Sequence, residues 1–234
     1  MKKLLFIVLV LVTTFSYSQT AEEYFKRGNS KVDIEDYQGA ISDFTIAIEI
    51  NPNYSKTYIN RGYSLLKLKD YQGAIEDYTK AIELNPNNSD IYINRGYSKH
   101  ELKDYQGAIA DYNKAIKINP IYSEAYINSG ISKNELKDYR GAIADYTKAI
   151  EINPNSSLAY NNRGNSKAKL EDHQGAIADY TKAIEINPNF SKAYINRGIS
   201  NFFLNEKESA CLDLSKAGEL GNSKAYDLIK QYCN

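Results

Sequence analysis

The chain of 234 residues has no tryptophan, one methionine, two cysteines, two histidines and five prolines. Its formal net charge is zero, with 29 basic and 29 acidic side chains. Each scarcity removes a class of function. A balanced charge is the wrong footprint for nucleic acid, which needs a basic surplus on one face, and it offers no electrostatic hold on an anionic membrane. His100 and His173 have no histidine or cysteine partner nearby in sequence, so no metal-ligand spacing arises. There is no Cys-x-x-Cys motif, phosphate-binding glycine loop or nucleophile elbow. Catalysis needs convergent polar groups with tuned proton affinities, and no such constellation is present. The chain reads as non-enzymatic, with no cofactor and no metal.

Long apolar runs are also scarce. The one that stands out is Leu4 to Val12, preceded by Lys2 and Lys3 and followed by Ser16-Tyr17-Ser18. A short positive region, an apolar stretch and small residues at a cleavage site make the three-part layout of a secretory signal peptide. The run is shorter than the about 20 residues that a spanning helix needs, which disfavours a retained anchor. No cysteine follows the apolar run to carry a lipid. Residues 1–18 are therefore expected to be removed by cleavage after Ser18, sending the mature chain to the periplasm or the exterior, with no membrane insertion afterwards.

What is abundant is tyrosine, 21 residues, and it recurs in register. Gly28, Gly62, Gly96, Gly130, Gly164 and Gly198 are each 34 residues apart, as are Pro52, Pro86, Pro120, Pro154 and Pro188. Gly39, Gly73, Gly107, Gly141 and Gly175 form another series, each followed by alanine. Phe44, Tyr78, Tyr112, Tyr146 and Tyr180 form one more, and so do Ala47, Ala81, Ala115, Ala149 and Ala183. A fixed period of this length marks a repeat array.

Each unit predicts two helices. In residues 55–88, Ser55 can cap the first, on which Tyr58, Leu65 and Leu68 recur at helical spacing. Asp70 is the expected N-cap of the second, whose Ala74, Ile75, Tyr78, Ala81 and Ile82 form a buried stripe. Asn85-Pro86 ends it, because proline lacks the N–H and restricts the residue before it. Gly62 in a helix interior costs about 1 kcal/mol relative to alanine, so its recurrence points to close packing between paired helices. The Gly-Ala pairs read the same way. Asp43, Asp77, Asp111, Asp145, Asp179 and Asp213 recur on the second helix. Lys80, Lys114, Lys148, Lys182 and Lys216 lie three residues after five of them, and solvated ion pairs are expected.

Tyr58, Gly62, Ala74, Tyr78, Ala81 and Pro86, repeated at these spacings, resemble the tetratricopeptide repeat family, although Arg61 and Leu65 depart from its usual leucine and tyrosine. The resemblance covers residues 21–222 as six repeats: 21–54, 55–88, 89–122, 123–156, 157–190 and 191–222. It implies an all-α, right-handed α-α superhelix, a solenoid of helix-turn-helix units, with a concave groove lined by the first helices. The sixth unit departs: Leu214 replaces the aromatic and Gly221-Asn222 replaces Asn-Pro. Residues 223–234, with Ala225, Tyr226, Leu228 and Ile229 at amphipathic spacing, are the expected C-terminal capping helix. If the chain folds back at Gly221, Cys211 and Cys233 both lie about 15–18 Å from the turn. They can then meet as a disulfide stapling cap to array; free thiols are the alternative.

The resemblance also implies a binding surface. Asn60, Asn94, Asn128, Asn162 and Asn196 occupy a first-helix position that faces the groove in the family, and asparagine can pair with both backbone groups of an extended peptide. Ile59, Ile93 and Ile127 precede three of them, and Tyr63, Tyr97 and Ile131 follow three residues after. The expected surface is an asparagine ladder flanked by apolar residues, though these side chains could instead pack between repeats. Isoleucine at 59, 93 and 127, where lysine would serve, argues against a clamp for a C-terminal carboxylate. The expected function is a monomeric, non-catalytic scaffold of the bacterial cell envelope or exterior that binds a protein or peptide. The alternative is a structural protein whose array packs on copies of itself.

Overall fold

A computed structural model describes residues 20–233. The expected signal segment, residues 1–18, lies outside the described residues. The described chain is helical, with no strand among those residues. Helix α1 spans 20–33. It is followed by α2 (Tyr37–Ile50), α3 (Ser55–Lys67), α4 (Tyr71–Leu84), α5 (Ser89–Glu101) and α6 (Tyr105–Ile118). Then come α7 (Ser123–Glu135), α8 (Tyr139–Ile152), α9 (Ser157–Lys169), α10 (His173–Ile186), α11 (Ser191–Phe203), α12 (Lys207–Glu219) and α13 (Lys224–Tyr232). Among the described residues no helix is long and apolar enough to cross a membrane.

The turn inside each repeat follows from two local devices. Lys69 closes the end of α3 in the left-handed region, φ 63°, as do Glu35, Lys103, Lys137, Glu171 and Asn205 at the same place. The Asp70 N–H donates to Leu65 O and the Lys69 N–H to Leu66 O, both at 2.9 Å, which satisfies carbonyls that the helix end leaves open. Asp70 then starts the next helix: its Oδ1 accepts the Gly73 N–H at 3.0 Å. Asp36, Asp104, Asp138 and Asp172 cap in the same way. The glycine of Gly-Ala belongs to this cap and not to a helix contact, since a Cβ on Gly107 would stand 2.0 Å from Asp104 Oδ2. In the sixth repeat Ser209 replaces that glycine, and Glu206 makes no side-chain cap. Ser55 does not cap α3. Tyr54 holds the cap position without a side-chain bond, and the Ser55 hydroxyl donates to Ala81 O at 3.3 Å.

The chain forms two compact units, divided between Asn119 and Pro120. In the first, α3 packs on α4 and α5 on α6, while α2 with α3 and α4 with α5 join successive repeats. Its core gathers Tyr58, Ala74, Tyr78, Ala81 and Ile91, with Leu65, Leu66 and Ile82 against it. In the second unit α7 packs on α8, α9 on α10 and α11 on α12, around Ile127, Ala142, Tyr146, Ala149 and Ala159. Every first-helix glycine of repeats one to five faces the aromatic of its own second helix. A Cβ on Gly164 would lie 2.6 Å from Tyr180 Cε1, and one on Gly62 would lie 3.0 Å from Tyr78 Cε1. Both tyrosines are buried, and burial pushes their hydroxyl pKa values well up. Gly164→Ala should therefore destabilise by about 1–3 kcal/mol through overpacking, against the about 1 kcal/mol that alanine gains in a helix. Urea unfolding followed by circular dichroism checks the sign; a more stable variant would show that the ring yields freely.

The C-terminal segment packs as a cap. Ala225 of α13 is fully buried, and a Cβ on Gly218 would sit 3.5 Å from the Tyr226 ring. The Tyr232 ring lies 4.2 Å from that of Phe202 on α11. Cys211 and Cys233 form a disulfide, with Cα atoms 5.8 Å apart. Gly221, at φ 83°, makes the reversal between α12 and α13.

The aspartate series is not solvated. Asp43, Asp77, Asp111, Asp179 and Asp213 are buried, each held by an arginine of the first helix. Arg61 donates from Nε and Nη2 to Asp77 at 2.8 and 2.7 Å, and from Nη1 to Thr45 Oγ1 of the preceding repeat at 3.0 Å. The same fork recurs from Arg95 to Asp111 and Thr79. Lys80, Lys148, Lys182 and Lys216 pair instead with Glu83, Glu151, Glu185 and Glu219 on the exposed side. The aspartate faces the partner helix beside the buried tyrosine, so a desolvated carboxylate takes the guanidinium that can reach it. Arg27 and Lys31 together hold the Asp43 pKa below its usual value. Burial pushes Asp77 upward, because Leu65 stands where a second cation would be and only Arg61 opposes the desolvation.

Candidate binding face

The asparagines of the first helices divide into two kinds. Asn60 donates from Nδ2 to Asn29 Oδ1 at 2.6 Å. Asn196 uses its amide twice, to Asn161 Oδ1 at 3.0 Å and Asn165 Oδ1 at 2.9 Å. Asn162 accepts from Asn161 Nδ2 at 3.3 Å. Asn94 in the first unit and Asn128 in the second are half-buried, and neither side-chain amide is bonded within its own unit. The backbone carbonyls of both serve serine hydroxyls four residues on, Ser98 at 2.9 Å and Ser132 at 3.1 Å. The signal for this division is visible in the sequence. Asn60 and Asn196 each have an asparagine 31 residues earlier, Asn29 and Asn165, whereas the corresponding residue for Asn94 is Tyr63. For Asn60 and Asn196 the alternative role therefore holds: both bond to asparagines of the preceding repeat's first helix.

The apolar flank is partly interior. Ile93 is 5 % exposed and Ile127 8 % exposed, so both are core side chains. Ile59 packs on the first unit's core and Ile131 on the second's. An isoleucine one residue before the asparagine is turned toward the paired helix by the 100° step of the α-helix, so it serves packing. Three residues after Asn60 and Asn94 the side chain turns outward, and Tyr63 and Tyr97 stand 36 % and 40 % exposed. Lys67 Nζ lies 5.1 Å from the centre of the Tyr63 ring, within reach of a cation–π attraction.

Two hollows lie on these first-helix faces. In the first unit Asn29, Asn60 and Tyr63 line a space of about 420 Å³ with Val32 and Asp33. In the second unit a space of about 830 Å³ opens beside Asn165, Asn196 and Ile199, with Phe203 and His173 on its wall. Both hollows are open to solvent, and each has tyrosine or phenylalanine beside amide groups, a surface suited to a chain with both apolar side chains and backbone dipoles. Among the described residues no group of three or more histidine, cysteine, aspartate or glutamate side chains could hold a metal ion.

No curated protein sequence matches this one. Among solved structures, the crystal structure of MamA protein is similar at 25 % identity, covering 74 % of this chain and 95 % of that one, with a TM-score of 0.70. The structure of YrrB, described as a TPR protein with an unusual peptide-binding site, matches at 23 % identity over 80 % of this chain and 97 % of its own, TM-score 0.66. PilF of Pseudomonas aeruginosa matches at 16 % identity over 92 % and 99 %, TM-score 0.75. These likenesses show the fold class, an all-α solenoid of paired helix-turn-helix repeats. The tetratricopeptide repeat profile matches residues 55–88, 89–122 and 157–190, and a second TPR repeat profile matches 130–170. With more than half of its length matched in this way, and with the glycine–tyrosine contacts and Asp-capped turns that build each unit, the chain belongs to the tetratricopeptide repeat family, a family of protein–protein interaction scaffolds.

Proposed function

We propose that this protein is exported, loses residues 1–18, and binds an extended segment of another protein through its first helices. The observation that carries this reading is the contrast within the asparagine row. Asn94 and Asn128 keep donor and acceptor capacity unused within their units, while the amides of Asn60 and Asn196 are already committed. Such a side chain can pair with a bound backbone, because one asparagine offers both a donor and an acceptor. Exposed Tyr63 and Tyr97 supply apolar contact beside them. The cell envelope or exterior is the proposed location, on the layout of Lys2-Lys3, Leu4 to Val12 and Ser16 to Ser18. The protein acts as a monomer and does no chemistry of its own.

Capture of envelope and secreted proteins with the mature chain, beside the Asn94→Ala/Asn128→Ala variant, tests the reading. The variant should lose the partner about tenfold in affinity or more, at one to two unmade hydrogen bonds, with unchanged helicity. Equal capture by both proteins would place the site elsewhere. A parent chain that captures nothing and sediments as a concentration-dependent oligomer would support self-assembly, for which exposed Leu212 and Ile34 would supply contacts.

A further inference from the structure

The larger hollow, in the second unit, differs in chemistry from the rest of the row. Phe203 ends α11 at a position where the other five repeats carry a charge: Asp33, Lys67, Glu101, Glu135 and Lys169. It is 59 % exposed. Its ring stacks on His173, with centroids 4.7 Å apart and planes at 10°. His173 is itself a departure, since four other repeats have tyrosine there. Two departures from the repeat thus build one flat aromatic wall, and Ile199 and Ala168 complete an apolar lining.

Three polar groups of this hollow, Asn165, Tyr180 and Asn196, bond to one another, while His173 Nδ1 is buried without a hydrogen-bond partner. Asn165 Oδ1 accepts from the Tyr180 hydroxyl at 2.9 Å and from Asn196 Nδ2 at 2.9 Å, and the second Asn196 bond goes to Asn161. The Asn196 Nδ2 hydrogens and the Asn165 Oδ1 lone pairs are thus taken, and contact with the aromatic wall is what the hollow chiefly offers a ligand. Lys169 and Glu171, of opposite sign, both line the space, so it carries no net charge to attract an ion. The volume of about 830 Å³ admits a large side chain together with the backbone that bears it. By contrast, the hollow of the first unit is about half that size and has Asp33 where this one has Phe203.

We infer that the hollow between α9, the start of α10 and α11 is a specificity pocket for an aromatic side chain carried by an uncharged, extended segment of the partner. The inference rests on the groove reading above and adds the class of residue selected. Stacking on the open face of Phe203 rewards a flat ring over a branched aliphatic of similar area. Because Lys169 and Glu171 balance, the lining gives no net attraction to a segment that carries an acid or a base.

The test is a nuclear magnetic resonance titration of the whole mature chain with N-acetyl-phenylalaninamide, N-acetyl-leucinamide and a blocked pentapeptide with one central phenylalanine between serines and asparagines. The phenylalanine amide should shift the His173 ring signals saturably, with a half-saturation at least fivefold lower than that of the leucine amide. Phe203→Lys, which restores the residue type of the fifth repeat, should weaken the effect at least tenfold with unchanged circular dichroism. Phe203→Leu should fall between the two. Equal response to phenylalanine and leucine, or an unmoved His173, overturns the inference. The pentapeptide separates the two levels of argument. Shifts at the Asn94 and Asn128 amides without a shift at His173 overturn the pocket and leave the groove. A shift at His173 without the asparagines supports the pocket and overturns the ladder. No shift at either overturns both.

Discussion

Replacing Arg163 by methionine should lower the stability of the second unit by about 2–3 kcal/mol, the expectation for breaking a buried charge pair while a second cation remains. Arg163 donates to Asp179 from Nε at 2.9 Å and Nη2 at 2.7 Å, and its Nη1 reaches Thr147 Oγ1 at 3.1 Å. The Thr147 hydroxyl donates to Ile143 O at 2.7 Å, which turns its lone pairs toward the guanidinium. One side chain thus ties its own repeat's second helix to that of the repeat before it. The Asp179 side chain is 5 % exposed and would keep only Lys167, at 2.8 Å. Methionine retains the apolar stem, so the loss reports the charge and its hydrogen bonds and not the packing. Arg27 provides the internal control. It makes the same fork to Asp43 but is 57 % exposed and, among the described residues, bonds to no threonine. Arg27→Met should therefore cost less than about 1 kcal/mol, as solvent-screened pairs do. Stability in a repeat array is a sum of units and interfaces and need not be two-state, so amide hydrogen exchange on α9 and α10 is the proper measurement. Equal losses for the two variants would mean that burial and the threonine bridge add nothing.

Breaking the Cys211–Cys233 disulfide should release α13. The bond closes a loop with a sequence separation of 22, for which chain entropy gives about 3 kcal/mol. A nine-residue helix is too short to persist alone, so its order depends on its attachments. These are few: buried Ala225, the Tyr226 ring over Gly218, and the Tyr232–Phe202 contact. Cys211→Ser/Cys233→Ser should speed exchange of the α13 amides by about a hundredfold, while those of α9 stay unchanged. Deletion of residues 223–234 should go further and harm solubility, because it uncovers Ala217, Gly218 and the Phe202 ring. If α13 stayed equally protected in the serine variant, packing alone would hold the cap and the disulfide would be incidental to it.

The asparagine row and the aspartate row differ in how legible they were. Both recur every 34 residues, and periodicity marks both as positions with a shared task. For the aspartates, Lys80 three residues on and Arg61 sixteen residues back are each plausible partners of Asp77, and only burial chooses between them. The fourth repeat makes the point by exception. Ser129 stands where the arginine should be, Asp145 has Lys133 at 2.6 Å as its ion-pair partner, and the Ser129 hydroxyl is buried without a partner. For the asparagines, the pairing at a separation of 31 crosses from one repeat to the next, a distance over which no helical period speaks.

The sequence by itself determined the elements and their order: the paired helices of the 34-residue unit, the aspartate that starts the second helix and the Asn-Pro that ends it, the glycine that admits a tyrosine, the altered sixth repeat and the cysteine pair within reach of one another. These follow from short-range geometry, in which a cap, a left-handed turn residue or a 3.6-residue stripe involves side chains only a few positions apart. Only the tertiary structure decided which groups lose water. Ile93 and Ile127 went inside, Asp77 left its lysine for Arg61, Asn196 spent its amide on Asn161 and Asn165, and Phe203 stayed in the open beside His173. Desolvation is a property of the packed surface, set by helices that meet from distant parts of the chain. The choice of partner for a polar group follows from that packing and cannot be read from its neighbours in sequence.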